Sequence, residues 1–284
     1  MVKESYSYDH ALKLAWGEKV LEYEVAVEFL LQKVKEDLEQ HILRYDIQMQ
    51  VIGYTDSIPI ILIEKKNLIL NNKRPETIID DITLDTAEVV NNLEFSIDQK
   101  GHVAIVHNFE AITNRWIWIR QAISERFPGE AIEAFLNMMQ KSLETPESLL
   151  ISIERDPLLS IFFNGIYDHY DRTPKRCVFK TGTLLPGFNL KYITEKKWVD
   201  TSDNFVQITE KGRLDTSAIE KEKLLLALNA RTSLERSSYN EIDGTMEIKT
   251  QVSLPSGIIN NQNSIFSLTV DDIKLENKLL VIEK

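Results

Sequence analysis

Cysteine is almost missing from this sequence, since Cys177 is the single one among 284 residues. No disulfide can form within the chain, so its stability must come from apolar packing, for which 43% hydrophobic residues are ample. A lone thiol fits a reducing compartment. We therefore expect a cytoplasmic location, or a periplasmic or lipoprotein one if a leader peptide has been removed.

Glycine is also scarce, with ten residues, which leaves few places where the backbone could approach a phosphate closely. The glycine-rich nucleotide loops, the Gly-x-Ser-x-Gly nucleophile elbow and the His-Glu-x-x-His zinc motif are absent from the sequence. Residues 180–183, Lys-Thr-Gly-Thr, have the composition of a phosphate loop without its glycine spacing. These absences favour a non-enzymatic protein without a cofactor or a metal.

Positive charge is in deficit, because 33 Lys and Arg residues face 44 Asp and Glu residues and leave a formal charge of −11. Such a field repels phosphate backbones and anionic membranes. The sequence also contains no apolar run near the roughly 20 residues that span a bilayer. We expect neither a nucleic-acid partner nor an integral membrane segment.

Two segments near the N-terminus alternate apolar and polar residues. A period of two is typical of half-buried strands, and the order of the segments predicts an antiparallel pair that faces helices. The stretch between them, 33–39, could instead be helical. The apolar positions are Tyr23, Val25, Val27 and Phe29 in the first segment, and Tyr45, Ile47, Met49 and Val51 in the second.

Turn signals predict three hairpins. Asp98–Gly101 separates two short apolar alternations, and glycine at its last position supplies the positive φ that such turns require. A similar string occurs in 208–214, which suggests a second β unit like the first. Asp243-Gly244 is a strong two-residue hairpin signal.

The middle of the chain has helical spacing, with Trp116, Ile119, Ile123 and Phe127 on one face. Asn108, Thr145 and Asp156 are candidate N-caps, the last two each followed by proline. Strand patterns return after 174, and 219–230 fits a helix or a strand. The order predicts an α+β fold in which curved antiparallel β-sheet packs against a central helical section. The predicted regions are β-rich 1–107, helical 108–173 and β-rich 174–284.

One polar cluster could support chemistry: Asp168, His169 and Asp171 offer an acid–base set for a hydrolase-type enzyme. Neighbouring residues on extended chain point in opposite directions, so this spacing does not converge on one ion or one substrate. We favour a purely structural interpretation, in which these residues form a polar turn before Thr173-Pro174.

Two tryptophans form the most unusual local feature. On a helix Trp116 and Trp118 lie about 200° apart, so the first falls on the apolar face and the second does not; the alternative is that both are buried between the sheet and the helices. Exposed tryptophan is common at binding hot spots, and Arg115 and Arg120 flank this one. We predict a binding site at Trp118, Arg115 and Arg120 and a non-enzymatic binding or assembly component that recognises another protein. The alternatives are a carrier of an apolar small molecule or lipid in a half-barrel cavity, and the hydrolase.

Overall fold

A computed structural model describes residues 10–17, 19–33, 38–73, 75–171, 173–185, 187–202 and 204–284. In the described part of the chain, eleven strands form one antiparallel sheet that is curved and not closed, and helices pack against it. The predicted α+β class is confirmed. Among the residues described, no helix has both the length and the apolar character needed to cross a membrane.

The strands are β1 (His10–Ala11), β2 (Leu21–Lys33), β3 (Glu39–Thr55), β4 (Ile58–Leu70), β5 (Asn92–Ile97), β6 (Val103–Val106), β7 (His169–Tyr170), β8 (Lys175–Thr181), β9 (Leu190–Ser202), β10 (Phe205–Leu214), β11 (Ile242–Ser253), β12 (Ile259–Val270) and β13 (Ile273–Glu283). The helices are α1 (Ile78–Ala87), α2 (Phe109–Arg126), α3 (Glu130–Ser142), α4 (Pro146–Ile153), α5 (Pro157–Phe162) and α6 (Lys221–Thr232). Two short 3-10 turns cover Glu88–Val90 and Thr216–Ala218.

The large sheet joins strands from both ends of the chain. Its order is β6-β5-β4-β3-β2-β13-β12-β11-β10-β9-β8, and every neighbouring pair is antiparallel. Two meanders, β2–β6 and β8–β13, therefore meet where β2 pairs with β13. The helical section α2–α5 lies between the two edge strands in sequence, since it follows β6 and precedes β8.

The predicted pair of N-terminal strands is confirmed. β2 and β3 are antiparallel, with Tyr23 opposite Ile47 and Val25 opposite Tyr45. The predicted inward residues are buried, except that Phe29 and Val51 are only partly so. A helix does not include the two ends of segment 33–39, because β2 runs to Lys33 and β3 begins at Glu39. Residues 34–37 lie outside the described residues.

One predicted hairpin is confirmed and two turn predictions are wrong. Asp98–Gly101 connects β5 and β6, and the Gly101 amide donates to the Asp98 carbonyl with φ at +94°. Residues 210–212 instead lie inside β10, and Asp243-Gly244 lies inside β11. Gly244 is required for close packing rather than for a turn, because a Cβ there would come within 2.7 Å of the Ser267 carbonyl oxygen.

Short helix α5 lies against the inner face of the sheet. Asp156 caps it by accepting from the Leu159 amide, as predicted, and also pairs with Lys65 of β4 at 2.8 Å. Thr145 caps α4 in the same way. Asn108 precedes α2 but does not cap it, because its side chain instead accepts from the Glu94 amide in β5.

Candidate functional site

The predicted cluster at 168–171 does not converge. Asp168 forms an ion pair with Lys175, and Asp171 accepts from the amide and hydroxyl of Thr173. His169 is exposed and lies between them on β7, which pairs with β1. Partial burial works to raise the pKa of Asp168, but hydrogen bonds from Lys175 and the His169 amide outweigh it and hold that pKa below its ordinary value. The arrangement provides no shared substrate position.

The two tryptophans have the different environments that their spacing predicts. Trp116 is 1% exposed, and its indole donates to Gln140 Oε1 at 2.7 Å. Trp118 is 74% exposed and follows Ile117, which is 60% exposed. Helix α2 therefore presents an apolar pair to solvent beside a buried anchor.

The two flanking arginines bind neighbouring elements. Arg115 Nη1 donates to the Val89 carbonyl at 2.8 Å. Arg120 Nη2 donates to Asn137 Oδ1 at 2.8 Å and lies 3.6 Å from Glu133. Both side chains thus fix α2 to the structure around it, and Trp118 is the member of the predicted set that projects outward. Their role in binding a partner stays a prediction.

A cavity of about 630 Å³, here called the seam cavity, lies between α4–α5 and the strands β8–β10. Val103 at the start of β6 borders it from one edge of the sheet, and 177–181 of β8 border it from the other. The sheet curves so far that both of its open edges line the same space. The helical section fills the rest of that gap.

Cations outnumber anions around the seam cavity. Of the lining residues, Lys100, Arg155 and Lys180 are exposed and form no ion pair with any residue that the structure describes, but the Lys180 side chain alternates to the outer face of β8. His102 also lines the cavity, with Nδ1 3.0 Å from Asp98 Oδ2. The basic residues are Lys100, Arg155, Lys175, Lys180 and Lys196, and the acidic ones are Glu154, Asp168 and Glu210.

The inner end of the cavity holds a buried ion pair. Lys196 Nζ lies 3.1 Å from Glu210 Oε2, and the two side chains are 8% and 3% exposed. Lys196 also donates to the carbonyl oxygens of Asn164 (3.0 Å) and Gly165 (3.3 Å), while Glu210 Oε1 accepts from the Thr194 hydroxyl at 2.7 Å. The helical section and the sheet are thus joined at this point by charge-assisted hydrogen bonds.

The cavity wall between the ion pair and the cationic rim is largely apolar. Leu159 and Phe163 from the helical section and Phe179 from β8 are all buried there. Cys177 also lines the cavity and is partly exposed. Burial raises the pKa of its thiol, against the opposing influence of the nearby Lys196 charge. The cavity therefore combines an apolar wall, a basic mouth and a polar floor.

Sequence reasoning missed Lys196, Glu210 and Asn164. The alternation of Phe188, Leu190 and Tyr192 indicates a strand, and two further steps of the same period place Thr194 and Lys196 on the inner face. The apolar Ile193 is correspondingly 47% exposed on the other face. Polar residues at the inward positions of this strand were the feature of the sequence that could have indicated a site.

Comparison with known proteins identifies no relative by sequence, since neither a family model nor a curated protein matches the chain. A solved structure concerned with lipid–protein interactions in lipovitellin is 11% identical with a TM-score of 0.42, covering 93% of this chain and 25% of that one. Ail, the attachment invasion locus protein of Yersinia pestis, is 6% identical with a TM-score of 0.23, covering 93% and 95%. The chain thus spans a quarter of the length of the lipovitellin chain. Both likenesses are too slight to carry an argument about function.

Proposed function

We propose that this chain is a non-enzymatic binding protein and that the seam cavity holds its ligand, a small anion with an apolar body. The observation that carries the proposal is the charge of the cavity. The protein as a whole is acidic, with a formal charge of −11, yet five Lys and Arg residues line this cavity against three Asp and Glu residues, and of the five only Lys180 alternates to the outer face of its strand. A local reversal of sign attracts an anion that the rest of the surface repels.

The dimensions of the cavity suit this role. Sites for small molecules usually measure about 300–1,000 Å³ and combine an apolar lining with a few polar groups. The seam cavity has a volume of 630 Å³. Its buried Leu159, Phe163 and Phe179 would cover a hydrocarbon body, while Lys100 and Arg155 at the mouth would meet an acidic group. This narrows the alternative of a carrier of an apolar small molecule or lipid to a carrier of an amphiphilic anion.

Cys177 provides a direct test, because it is the single thiol of the chain and lines the cavity. Sodium decanoate should slow the reaction of Cys177 with a maleimide in a saturable way, and decyltrimethylammonium should not. The raised thiol pKa means that the thiolate fraction, and with it the reaction rate, should rise with pH over a range above that of a free cysteine. The comparison therefore belongs at one fixed alkaline pH.

Charge reversal at the mouth completes the test. The double variant Lys100→Glu and Arg155→Glu should weaken decanoate protection by about tenfold or more, equivalent to about 1.4 kcal/mol. Lys197→Glu is the matched control, because Lys197 is exposed and follows Lys196 on the opposite face of β9. Equal protection by the anionic and cationic probes, or equal loss in the control, would contradict the proposal.

Recognition of another protein is a second candidate, and the exposure of Trp118 favours it. Trp118 is 74% exposed on a helix fixed by Arg115 and Arg120, so little backbone freedom would be lost on contact. A hydrolase centred on Asp168, His169 and Asp171 has no such support, because the ion pair of Asp168 and the turn at Asp171 already use the two carboxylates.

A further inference from the structure

The floor of the seam cavity contains a buried acceptor atom, Asn164 Oδ1, that lacks a hydrogen-bond donor among the described residues. A second buried acceptor, Glu210 Oε2, lies 3.1 Å from the Lys196 ammonium group. Asn164 is 6% exposed and Glu210 is 2% exposed, so both groups are buried. Buried polar atoms in native proteins almost always have partners. Both residues line the cavity, which makes a bound molecule the natural source of the missing donor.

Lys196 cannot supply that donor to Asn164. Its ammonium group donates to the backbone carbonyls of Asn164 and Gly165, and its remaining contact is the ion pair with Glu210. The three N–H groups of a lysine are thereby committed. Glu210 Oε2 lies 3.1 Å from Lys196 Nζ and takes the third of these N–H groups, and because a carboxylate oxygen has two lone pairs it can accept one further donor.

The same arrangement fixes the direction of the ligand. An anionic group at the floor would face Glu210 and find the Lys196 donors already used, whereas at the mouth it would meet Lys100 and Arg155. The acidic end of the ligand therefore lies at the mouth and its other end reaches the floor, with the apolar wall between them.

We infer that the ligand of the seam cavity carries a hydrogen-bond donor, a hydroxyl or an N–H group, at the end remote from its anionic group. This inference rests on the proposed function and narrows the ligand class from simple fatty anions to hydroxylated or amino-bearing ones. An ω-hydroxy acid is the simplest member. Its hydroxyl would donate to Asn164 Oδ1 or Glu210 Oε2.

Three probes test the inference on the unmodified protein through protection of Cys177. We expect 10-hydroxydecanoate to bind about fivefold more tightly than decanoate, the usual gain from one hydrogen bond to a buried acceptor. The third probe, 10-methoxydecanoate, accepts but cannot donate, and it should bind no more tightly than decanoate. A gain with the methoxy probe equal to that of the hydroxy probe would overturn the inference.

A matched pair of variants locates the effect. Asn164→Leu should reduce the preference for the hydroxy probe to less than about twofold, while Asn189→Leu, the same change at an exposed residue of the cavity, should leave it intact. Decanoate protection without any hydroxy preference would refute the inference and leave the proposed function standing. Protection by none of the three probes would refute both.

Discussion

Four consecutive residues, 162–165, meet the two halves of the sheet in opposite ways. On the N-terminal half, the Phe162 ring packs edge-on against Tyr23 at 5.4 Å, and Phe163 packs against Phe95 at 5.1 Å. On the C-terminal half, the carbonyls of residues 164 and 165 accept from Lys196. One segment therefore contributes both to a filled apolar core and to the floor of a cavity.

The two halves have the same pleat and the same antiparallel pairing, so topology does not account for the difference. The residue types at the inward positions do. β2 points Tyr23 and Val25 inward, whereas β9 points Thr194 and Lys196 inward. Apolar side chains fill the space around Tyr23, whereas an ion pair borders the seam cavity at Lys196, because buried charges need polar neighbours to replace water. The residue types at these inward positions therefore decide whether that part of the inner face packs into the apolar core or lines a cavity.

Removal of a ring from the filled half should have the largest effect on stability. Phe162→Ala should lower the free energy of unfolding by about 3–5 kcal/mol, because the fully buried ring leaves a cavity between α5 and β2. Urea denaturation monitored by circular dichroism measures the change. A loss below about 1 kcal/mol would mean that this half relaxes easily and that the contrast with the cavity half is not one of packing.

Disruption of the ion pair beside the seam cavity should lower the free energy of unfolding by somewhat less, and a second substitution should restore it. Lys196→Met leaves Glu210 buried without its counter-charge, with an expected loss of about 3 kcal/mol. Adding Glu210→Leu should restore most of that loss, since a buried pair can be replaced by apolar residues at little cost.

The control for that cycle is Lys197→Met on the outer face, which should change stability by no more than about 0.5 kcal/mol. The same denaturation experiment serves all three variants. If the double variant is as unstable as Lys196→Met alone, then the pair does more than neutralise charge, and the carbonyl contacts to residues 164 and 165 carry the stability.

Local periodicity predicted those elements whose pattern alone determines their burial. The inward faces of β2 and β3 and the buried position of Trp116 follow from periods of two and of about 3.6 residues. The turn predictions at 210–212 and Asp243-Gly244 were wrong because glycine also occurs inside strands, where a side chain would collide with a neighbouring strand. Gly212 and Gly244 let neighbouring strands approach, since a Cβ at Gly212 would come within 2.5 Å of the Thr194 side chain.

The seam cavity could not be predicted in the same way, because segments far apart in sequence form it. Lys100, Arg155, Lys180 and Glu210 come from a hairpin, a helix connection and two strands. A charged residue in sequence is ordinarily solvated, and only the register of β9 and β10 shows that Lys196 and Glu210 point inward. The predicted site at Trp118 depended on one helix alone, which is why its geometry was accessible from sequence.

The smallest effect is expected outside both halves, at Trp118. Trp118→Ala removes a ring that is 74% exposed, so the free energy of unfolding should change by no more than about 0.5 kcal/mol. Trp116→Ala, two residues away, is the matched comparison and should cost about 3–5 kcal/mol, because it empties a buried position and leaves Gln140 Oε1 without its indole donor.

Thermal and urea denaturation of the two variants, measured side by side, compare these losses of stability. A negligible loss of stability at Trp118 means that its ring does not stabilise the isolated fold and is available to contact a protein partner. Such a partner should then bind the Trp118→Ala variant more weakly by about 2 kcal/mol. Large and equal losses from both substitutions would make Trp118 a structural residue and remove the observation on which protein recognition rests, while leaving the seam cavity untouched.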